Sequence, residues 1–589
     1  MAQTLWQTWT SEVAACLSEA LGATVMASEI TIPPDTRLGD FSFACFKQAK
    51  IRKMSSTEVA KELVKQLQTM NVEGMTFVAA GPYVNVGLRL RDVMSQTIHV
   101  VREQGDQFGT STGEPSHGRI LIEYANPNTH KEVHIGHLRN FITGRAFVSL
   151  LRAVGKPVVP VSYVNDLGAN VAKTLWWMLH EARLDLRSFE LAHAEAFCAA
   201  FSIEQKTGRY LGQLYTEATR FLEEQPDLEA DISYVQSQLE AHHAAYEFLW
   251  RTTRDWCIDE LRSIFQELDV QVEKMYFESD LIDRAQEVVN ELEQKKVAVR
   301  SQGALVVDLE QEKLGVMLIR KTDGNLLYAS KDLALAEEKL RDYPDLTRGY
   351  AVVDQRQNLY FRQLGRVLQL LGHKQLFEAL CYELVTLKDG AMSSRKGNIV
   401  TYQGLRDGVL AYAEEEIRKR HEHIQGTELA KRAWDLALGG IIFAMLKQDP
   451  DRIFTFDMEQ ALSFEGATGP YCQYAVTRLA SILRKGTEGR RVEMGEENVA
   501  IIEAAQKDLV LKIAQLPEKV ALAAKELRPS VMAQWCLEMA QAVSAFYRDV
   551  PVLSAQGSAR YERLALVQTA KTALSNGLRL LGIPTPEEM

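Results

Sequence analysis

The chain has 589 residues, which at roughly 100–200 residues per domain points to three to five domains and a large buried core. Hydrophobic residues make up 46% and charged residues 25%, with 36 Gly and 16 Pro, a balance that excludes disordered, collagenous and low-complexity classes. Lys plus Arg (67) against Asp plus Glu (78) leaves a net charge of −11, so any contact with nucleic acid must come from local basic faces.

Seven cysteines (Cys16, Cys45, Cys198, Cys257, Cys381, Cys472 and Cys536) lie far apart with no Cys-x-x-Cys pair. That argues against a disulfide framework or a cysteine-rich zinc site and suits a reducing cytoplasm. The first basic residue is Arg37, so the charged start of a signal peptide is not expected, and no run of 18 apolar residues exists to span a membrane.

Residues 1 to about 115 read as a small α+β unit. Leu5, Trp9, Val13, Leu17 and Leu21 have helical spacing. Lys53-Met54-Ser55-Ser56 reads as a helix start, and residues 77–86 as one strand bent at Gly81-Pro82. Residues 110–118, rich in Ser, Thr, Gly and Pro, read as a linker. A βαβ unit then opens at Arg119. Residues 119–125 have the near-continuous apolar run of a buried parallel strand, and a helix follows through Val133, Ile135, Leu138, Phe141, Ile142, Ala146, Leu150 and Val154 to Gly155. Residues 157–163 form the next strand, with Asn165-Asp166-Leu167-Gly168 at its carboxyl end, the edge where open parallel sheets bind ligands. Residues 175 to about 280 read as a helical insertion. Strand-like runs resume at 304–308, 316–319, 350–354 and 384–385, and from about 405 onward the helical period dominates. Gly582 and Pro584 stop the last helix.

Two segments point to chemistry. In Asn126-Pro127-Asn128-Thr129-His130-Lys131-Glu132-Val133-His134-Ile135-Gly136-His137, the histidines at 134 and 137 share one face at a helix start. A strand-to-helix turn offers free backbone N–H groups to an anion, two imidazoles can donate to phosphate oxygens, and Gly136 leaves room for a base. The bland alternative is a pair of polar residues on a surface helix. Zinc ligation by His130, His134 and His137 is disfavoured because Lys131 would repel a cation and no carboxylate stands in the His-Glu-x-x-His position. The second segment, Lys388-Asp389-Gly390-Ala391-Met392-Ser393-Ser394-Arg395-Lys396-Gly397, offers small hydroxyls and adjacent cations as a mobile clamp on polyphosphate. Alone it also reads as a solvated turn.

The order of a His-Ile-Gly-His element, a long insertion, a Met-Ser-Ser-Arg-Lys loop and a helical tail resembles class I aminoacyl-tRNA synthetases. Asn126-Pro127-Asn128, residues 327–332, Asp354-Gln355-Arg356-Gln357, residues 465–471 and residues 581–586 narrow the resemblance to the arginyl-tRNA synthetase family. It spans nearly the whole chain. It implies an α/β fold: a Rossmann-type catalytic domain with its insertion over 116–404, an N-terminal α+β domain over 1–115 touching the tRNA elbow, connecting stem helices over 405–465, and an all-α anticodon-binding bundle over 466–589. The implied arginine pocket is Glu123, Asn128, Tyr328, Asp332 and Gln357. ATP, as substrate with Mg2+ on its phosphates, would meet Asn126, His134, Gly136, His137, Met392, Ser393 and Ser394. A guanidinium needs planar paired acceptors, which Glu123 and Asp332 supply. Against that stand an ion pair of Glu123 with Arg139, and Asp332 as cap of a helix starting at Leu333.

The usual Lys-Met-Ser-Lys-Ser loop is altered here, with Ala391 and Ser394 in place of its lysines. Some family members with that loss carry a lysine just before the His element, so Lys131, with Arg395 or Lys396, is expected to supply the missing charge beside the catalytic His134 and His137. Arg478, Arg484, Lys485, Arg490 and Arg491 lie near Tyr471 and Tyr474, a basic and aromatic mixture suited to tRNA loops. Tyr83 and Asn85 are the expected N-terminal contacts. The expected partners are tRNA(Arg), L-arginine and ATP, with no membrane, and the expected state is a cytoplasmic monomer. The rival readings are a small nucleotidylyltransferase and a non-catalytic tRNA- or protein-binding paralogue.

Overall fold

A computed structural model describes residues 3–110, 118–322, 326–374, 376–387, 400–421, 423–487 and 498–589. The packing separates two compact units, one of Met1–Glu114 with Ala153–Gly155 and Ser463–Met589, the other of Pro115–Arg152 with Lys156–Leu462.

The second unit is built on five parallel strands in the order Leu376–Tyr382, Leu346–Asp354, Arg119–Glu123, Val158–Val164, Lys274–Phe277. Val158–Val164 is buried at every position, as a strand covered on both faces must be. From Arg119–Glu123 the chain adds strands first on one side and later on the other. The order therefore reverses between Arg119–Glu123 and Leu346–Asp354, and their carboxyl ends splay around a crevice.

Two strands of this sheet escape the sequence reading, and both are edges. Lys274–Phe277 is four residues long, opens on a lysine and lies inside the span read as insertion. Leu376–Tyr382 carries an exposed Glu378. The strand-like runs at 304–308 and 316–319 are strands, Ala304–Leu309 and Gly315–Arg320, and they join Val299–Ser301 in a separate antiparallel sheet. The cause is alternation. Met317 and Ile319 are buried while Val316 and Leu318 remain 50% and 43% exposed, so this sheet packs on one face only. The helical insertion comprises Ala169–Glu181, Leu191–Ala199, Gly208–Glu224, Glu229–Glu240 and Ala244–Glu267, around Trp176, Trp177, Tyr246 and Trp250. Helices Tyr402–Arg420 and Gly426–Leu446 pack on each other in the same unit.

In the first unit, helices Leu5–Leu21 and Ser56–Thr69 accompany an antiparallel sheet ordered Ile30–Thr31, Phe41–Ala44, Tyr83–Leu88, Met75–Ala80. Residues 77–86 form a hairpin rather than one bent strand, because Gly81 at φ 58° reverses the chain. Ser55 caps Ser56–Thr69 by accepting from Glu58 N–H. Beyond residue 463 this unit carries the helices Gly469–Thr487, Val499–Ala514, Leu516–Glu526, Pro529–Asp549 and Gly557–Leu581, the last ended by Gly582 at φ 86°. Helix Leu90–Gln104 packs against Val499–Ala514 and Gly557–Leu581. Asn576 Nδ2 donates to the carbonyls of Gly105 and Phe108, 3.0 Å each, and buried Asp40 pairs with Lys507 at 2.8 Å.

Candidate active site

His134 caps the helix Ile135–Ala153. Its Nδ1 accepts from the N–H groups of Gly136 (3.1 Å) and His137 (3.4 Å), while His137 Nδ1 accepts from His134 N–H (3.2 Å). Ile135 N–H donates to Val400 O at 3.1 Å. The amides of residues 134–137 are therefore all engaged, and the first turn of this helix does not offer them to an anion as the sequence suggests. A Cβ on residue 136 would lie 2.9 Å from His134 Cε1, so Gly136 admits the capping ring. The rings stack with centroids 3.8 Å apart. With both Nδ1 atoms accepting, each proton resides on Nε2. Burial, with Lys131 nearby, lowers His134 to about 4, and burial with the charge of His134 holds His137 well below the ordinary imidazole range. At neutral pH this pair is two neutral N–H donors.

The loop before it is pinned from both sides. Ala125 (φ 55°) and His130 (φ 58°) adopt left-handed backbone, and their neighbours hold them there. Asn140 receives Ala125 N–H at Oδ1 (2.7 Å) and donates to Val352 O (2.6 Å), stapling two strand ends. Thr129 N–H donates to Asn165 O (3.0 Å), and Asn165 N–H to Pro127 O (3.1 Å). His130 is fully buried, with its ring nitrogens bonded to the hydroxyls of Thr129 (3.0 Å) and Thr253 (2.9 Å), and burial pushes it down to about 3. It is a structural strut.

At the strand ends lies a cavity of about 730 Å³ whose lining includes Glu123, Asn126, Asn128, Tyr328, Asp332 and Gln357. Thus the five residues expected to hold arginine share one cavity. Glu123 pairs with Lys339, both at most 5% exposed, and also accepts from Asn126 Nδ2 at 2.7 Å. Asn126 in turn accepts Tyr163 N–H at 2.8 Å, so it orients the acid. Asp332 accepts from the Tyr360 hydroxyl. Burial outweighs that bond and, with repulsion from Glu123, raises its carboxyl to about 7. Nearby Glu278 is held by Lys331. Of the three carboxylates that line the cavity, Glu123 is paired with Lys339 and Asp354 with Arg356, which leaves Asp332 without a cation, and among the described residues the buried Tyr163 hydroxyl has no partner. The cavity is short of one cation carrying several donors.

Neither competing role for these acids holds. Arg139, not Glu123's partner, donates to the carbonyls of Glu383 (2.6 Å), Leu384 (3.1 Å), Pro450 (3.2 Å) and Arg452 (2.9 Å). Asp332 lies inside the helix Tyr328–Asp342 rather than at its start. Lys339 went unread in the sequence because a lysine late in a helix reads as solvated. The signal that finds it is Glu123 itself, since a carboxylate in a buried run demands a cation.

Ala391, Met392, Ser393, Ser394, Arg395 and Lys396 fall outside the described residues, but their flanks do not. Val400 O accepts from Ile135 and Tyr402 N–H donates to Val133 O (2.7 Å), while Arg139 grips the carbonyls of Glu383 and Leu384. Both flanks are therefore tied to the helix that carries the histidines. Arg139→Met is expected to strand four carbonyls, costing on the order of 3 kcal/mol, seen as a melting temperature several degrees lower. Lys131 lies over the Tyr215 ring at 5.1 Å and shares a small recess with Asn128 and Thr401.

Among the expected tRNA contacts, Tyr83 is exposed and packs edge-on against Phe46. Asn85 is 2% exposed, so the structure does not present it to a partner; its strand position turns it into the sheet's packed face. Arg478 stacks 4.3 Å over Tyr474 and 5.1 Å from Tyr547, and Tyr471 bonds Ser544 at 3.2 Å. Arg484 pairs with Glu588, and Arg490 and Arg491 lie outside the described residues.

Residues 98–458 match the family profile described as tRNA synthetases class I (R), catalytic domain. Residues 472–589 match the DALR anticodon binding domain, and 7–88 the arginyl tRNA synthetase N terminal domain. An arginine–tRNA ligase of Bdellovibrio bacteriovorus is 34% identical over 95% of this chain and 93% of its own length. One from Alkaliphilus metalliredigens is 29% identical over 98% and 99%. The solved arginyl-tRNA synthetase of Thermus thermophilus superposes with a TM-score of 0.74 at 26% identity, covering 98% of this chain and all of that one.

Proposed function

The chain belongs to the arginyl-tRNA synthetases of class I, ligases that join arginine to tRNA at the expense of ATP, and from that premise we propose which of its residues do the work. The Glu123–Asp332 cavity is the arginine pocket, with Asn128, Tyr328 and Gln357 around the substrate. The carrying observation is the missing positive charge: a guanidinium supplies the cation and the donors that Asp332 and Tyr163 lack. Lysine brings charge but no planar fork, so discrimination here needs no editing site.

Activation is attack of the arginine α-carboxylate on the ATP α-phosphorus, with pyrophosphate leaving. In the second step a ribose hydroxyl of the tRNA 3′ end attacks the acyl carbonyl and AMP leaves. Neither step requires a protein nucleophile, so catalysis rests on positioning and charge. The Nε2–H groups of His134 and His137 donate to phosphate oxygens, beside Gly136 and Asn126. Lys131 adds charge, and Met392, Ser393, Ser394, Arg395 and Lys396 close over the phosphates. We place Mg2+ on the ATP phosphates, because it favours phosphate oxygens and water over an all-protein cage. The two domain matches outside the catalytic region support tRNA binding by the terminal segments, with Tyr83, Tyr471, Tyr474 and Arg478 as contacts. We take 1–115, 116–404, 405–465 and 466–589 as the functional divisions, and a cytoplasmic monomer as the working form. No helix among the described residues is long and apolar enough to cross a membrane.

Pyrophosphate exchange over an amino-acid panel, with and without tRNA, tests this. Exchange with arginine in the presence of tRNA is expected, and silence with every amino acid defeats the reading. A pH series isolates the pocket. Asp332 must be ionised to bind a guanidinium and its carboxyl sits at about 7, so the KM for arginine should rise about tenfold from pH 8 to pH 6. The KM for ATP should stay flat across that range, because His134 titrates near 4.

A further inference from the structure

Lysines around the arginine cavity are neutralised: Lys339 by Glu123 and Lys331 by Glu278. Two others are not. Lys131 and Lys173 lie over the same Tyr215 ring, 5.1 and 5.5 Å from its centre, and among the described residues neither has an ion-pair partner. Glu132, next in sequence, lies instead in the field of Glu260 and Arg209. One aromatic ring eases two ammonium groups only partly, since the quadrupole attraction is weak beside like-charge repulsion, and Lys173 is among the charges that lower Lys131. The arrangement is completed by an anion.

The scaffold holds this arrangement rigidly. Tyr215 sits on the insertion helix Gly208–Glu224, and Gly212 of that helix packs on the backbone of Lys131 and Glu132 so closely that a Cβ would lie 2.5 Å from Glu132 N. Lys173 comes from Ala169–Glu181, whose start follows the carboxyl end of strand Val158–Val164. Three segments thus converge three residues before His134, whose ring feels the charge of Lys131.

We propose that Lys173, seated with Lys131 on Tyr215, is a second cation for the polyphosphate of ATP and for the departing pyrophosphate. This rests on the reading of Lys131 as a phosphate-binding residue. It assigns the helical insertion a part in activation: one of its rings fixes both charges that stand in for the loop lysines this chain lacks at Ala391 and Ser394.

The test is pyrophosphate exchange by the full chain with tRNA, comparing Lys173→Met, Lys173→Arg and Lys131→Met. Lys173→Met should raise the KM for pyrophosphate and for ATP about tenfold and leave that for arginine within about twofold, while Lys173→Arg recovers to within about threefold. Its melting temperature should equal or exceed the parent's, because a like-charge contact is removed. If it melts early, Lys173→Gln takes its place in the same assays. An unchanged Lys173→Met beside an impaired Lys131→Met overturns the role of Lys173 alone. If both are unchanged, the reading of Lys131 falls with it. A defect confined to the KM for tRNA in aminoacylation assigns the anion to nucleic acid and overturns the proposal.

Discussion

Asp332→Asn should yield a chain that melts higher and activates arginine poorly. Burial raises the carboxyl to about 7, so the folded state holds the Asp332 proton far more tightly than the unfolded chain does. The resulting penalty is fully present above about pH 7 and shrinks progressively as the pH falls, disappearing only below the ordinary carboxylate value of about 4. An amide of the same shape escapes it, and stability at pH 8 should rise by roughly 2–4 kcal/mol. The same change removes the charge that meets the guanidinium, and the KM for arginine should rise on the order of 100-fold or more with little change for ATP. Melting curves at pH 6 and pH 8 and exchange kinetics check both halves. A variant that loses stability as well as activity would make Asp332 a structural residue. Opposite signs in the two assays are the mark of a site that sacrifices stability for binding.

Glu123→Gln is expected to fail differently. Lys339 is 3% exposed, so removing its partner leaves a buried cationic group uncompensated, and the single variant should lose about 3–5 kcal/mol and express poorly. Adding Lys339→Met removes the stranded ammonium and should restore most of the melting temperature. Arginine activation should stay depressed in the double variant, because the Asn126-oriented carboxylate is gone. Recovery of activity together with stability would show that Glu123 serves the fold alone.

Much of this site was legible because its residues sit where buried strands end. The apolar runs at 119–125 and 157–163 place Glu123 and Asn165 at the carboxyl edge without any knowledge of contacts. What stayed hidden depended on distant partners. Lys339 meets Glu123 across 216 positions, and Arg139 meets the Pro450 carbonyl across 311, pairings that no local period encodes. The capping role of His134 was also unread, since imidazole is an uncommon helix cap and the spacing alone equally suits two free donors. The edge strands were missed because exposure breaks the apolar run that marks central ones.

The pairing of Asn576 with the Phe108 carbonyl joins positions 468 residues apart. On a ribosome adding roughly 5–20 residues each second, that partner emerges only about 20–90 s after Phe108 has been made. During this interval helix Leu90–Gln104 has nothing from Gly557–Leu581 to cover it, while the 115–462 segment has time to finish its own sheet. The nascent chain therefore has a prolonged window in which helix Leu90–Gln104 is open to chaperones and proteases, and that window closes only when Gly557–Leu581 emerges.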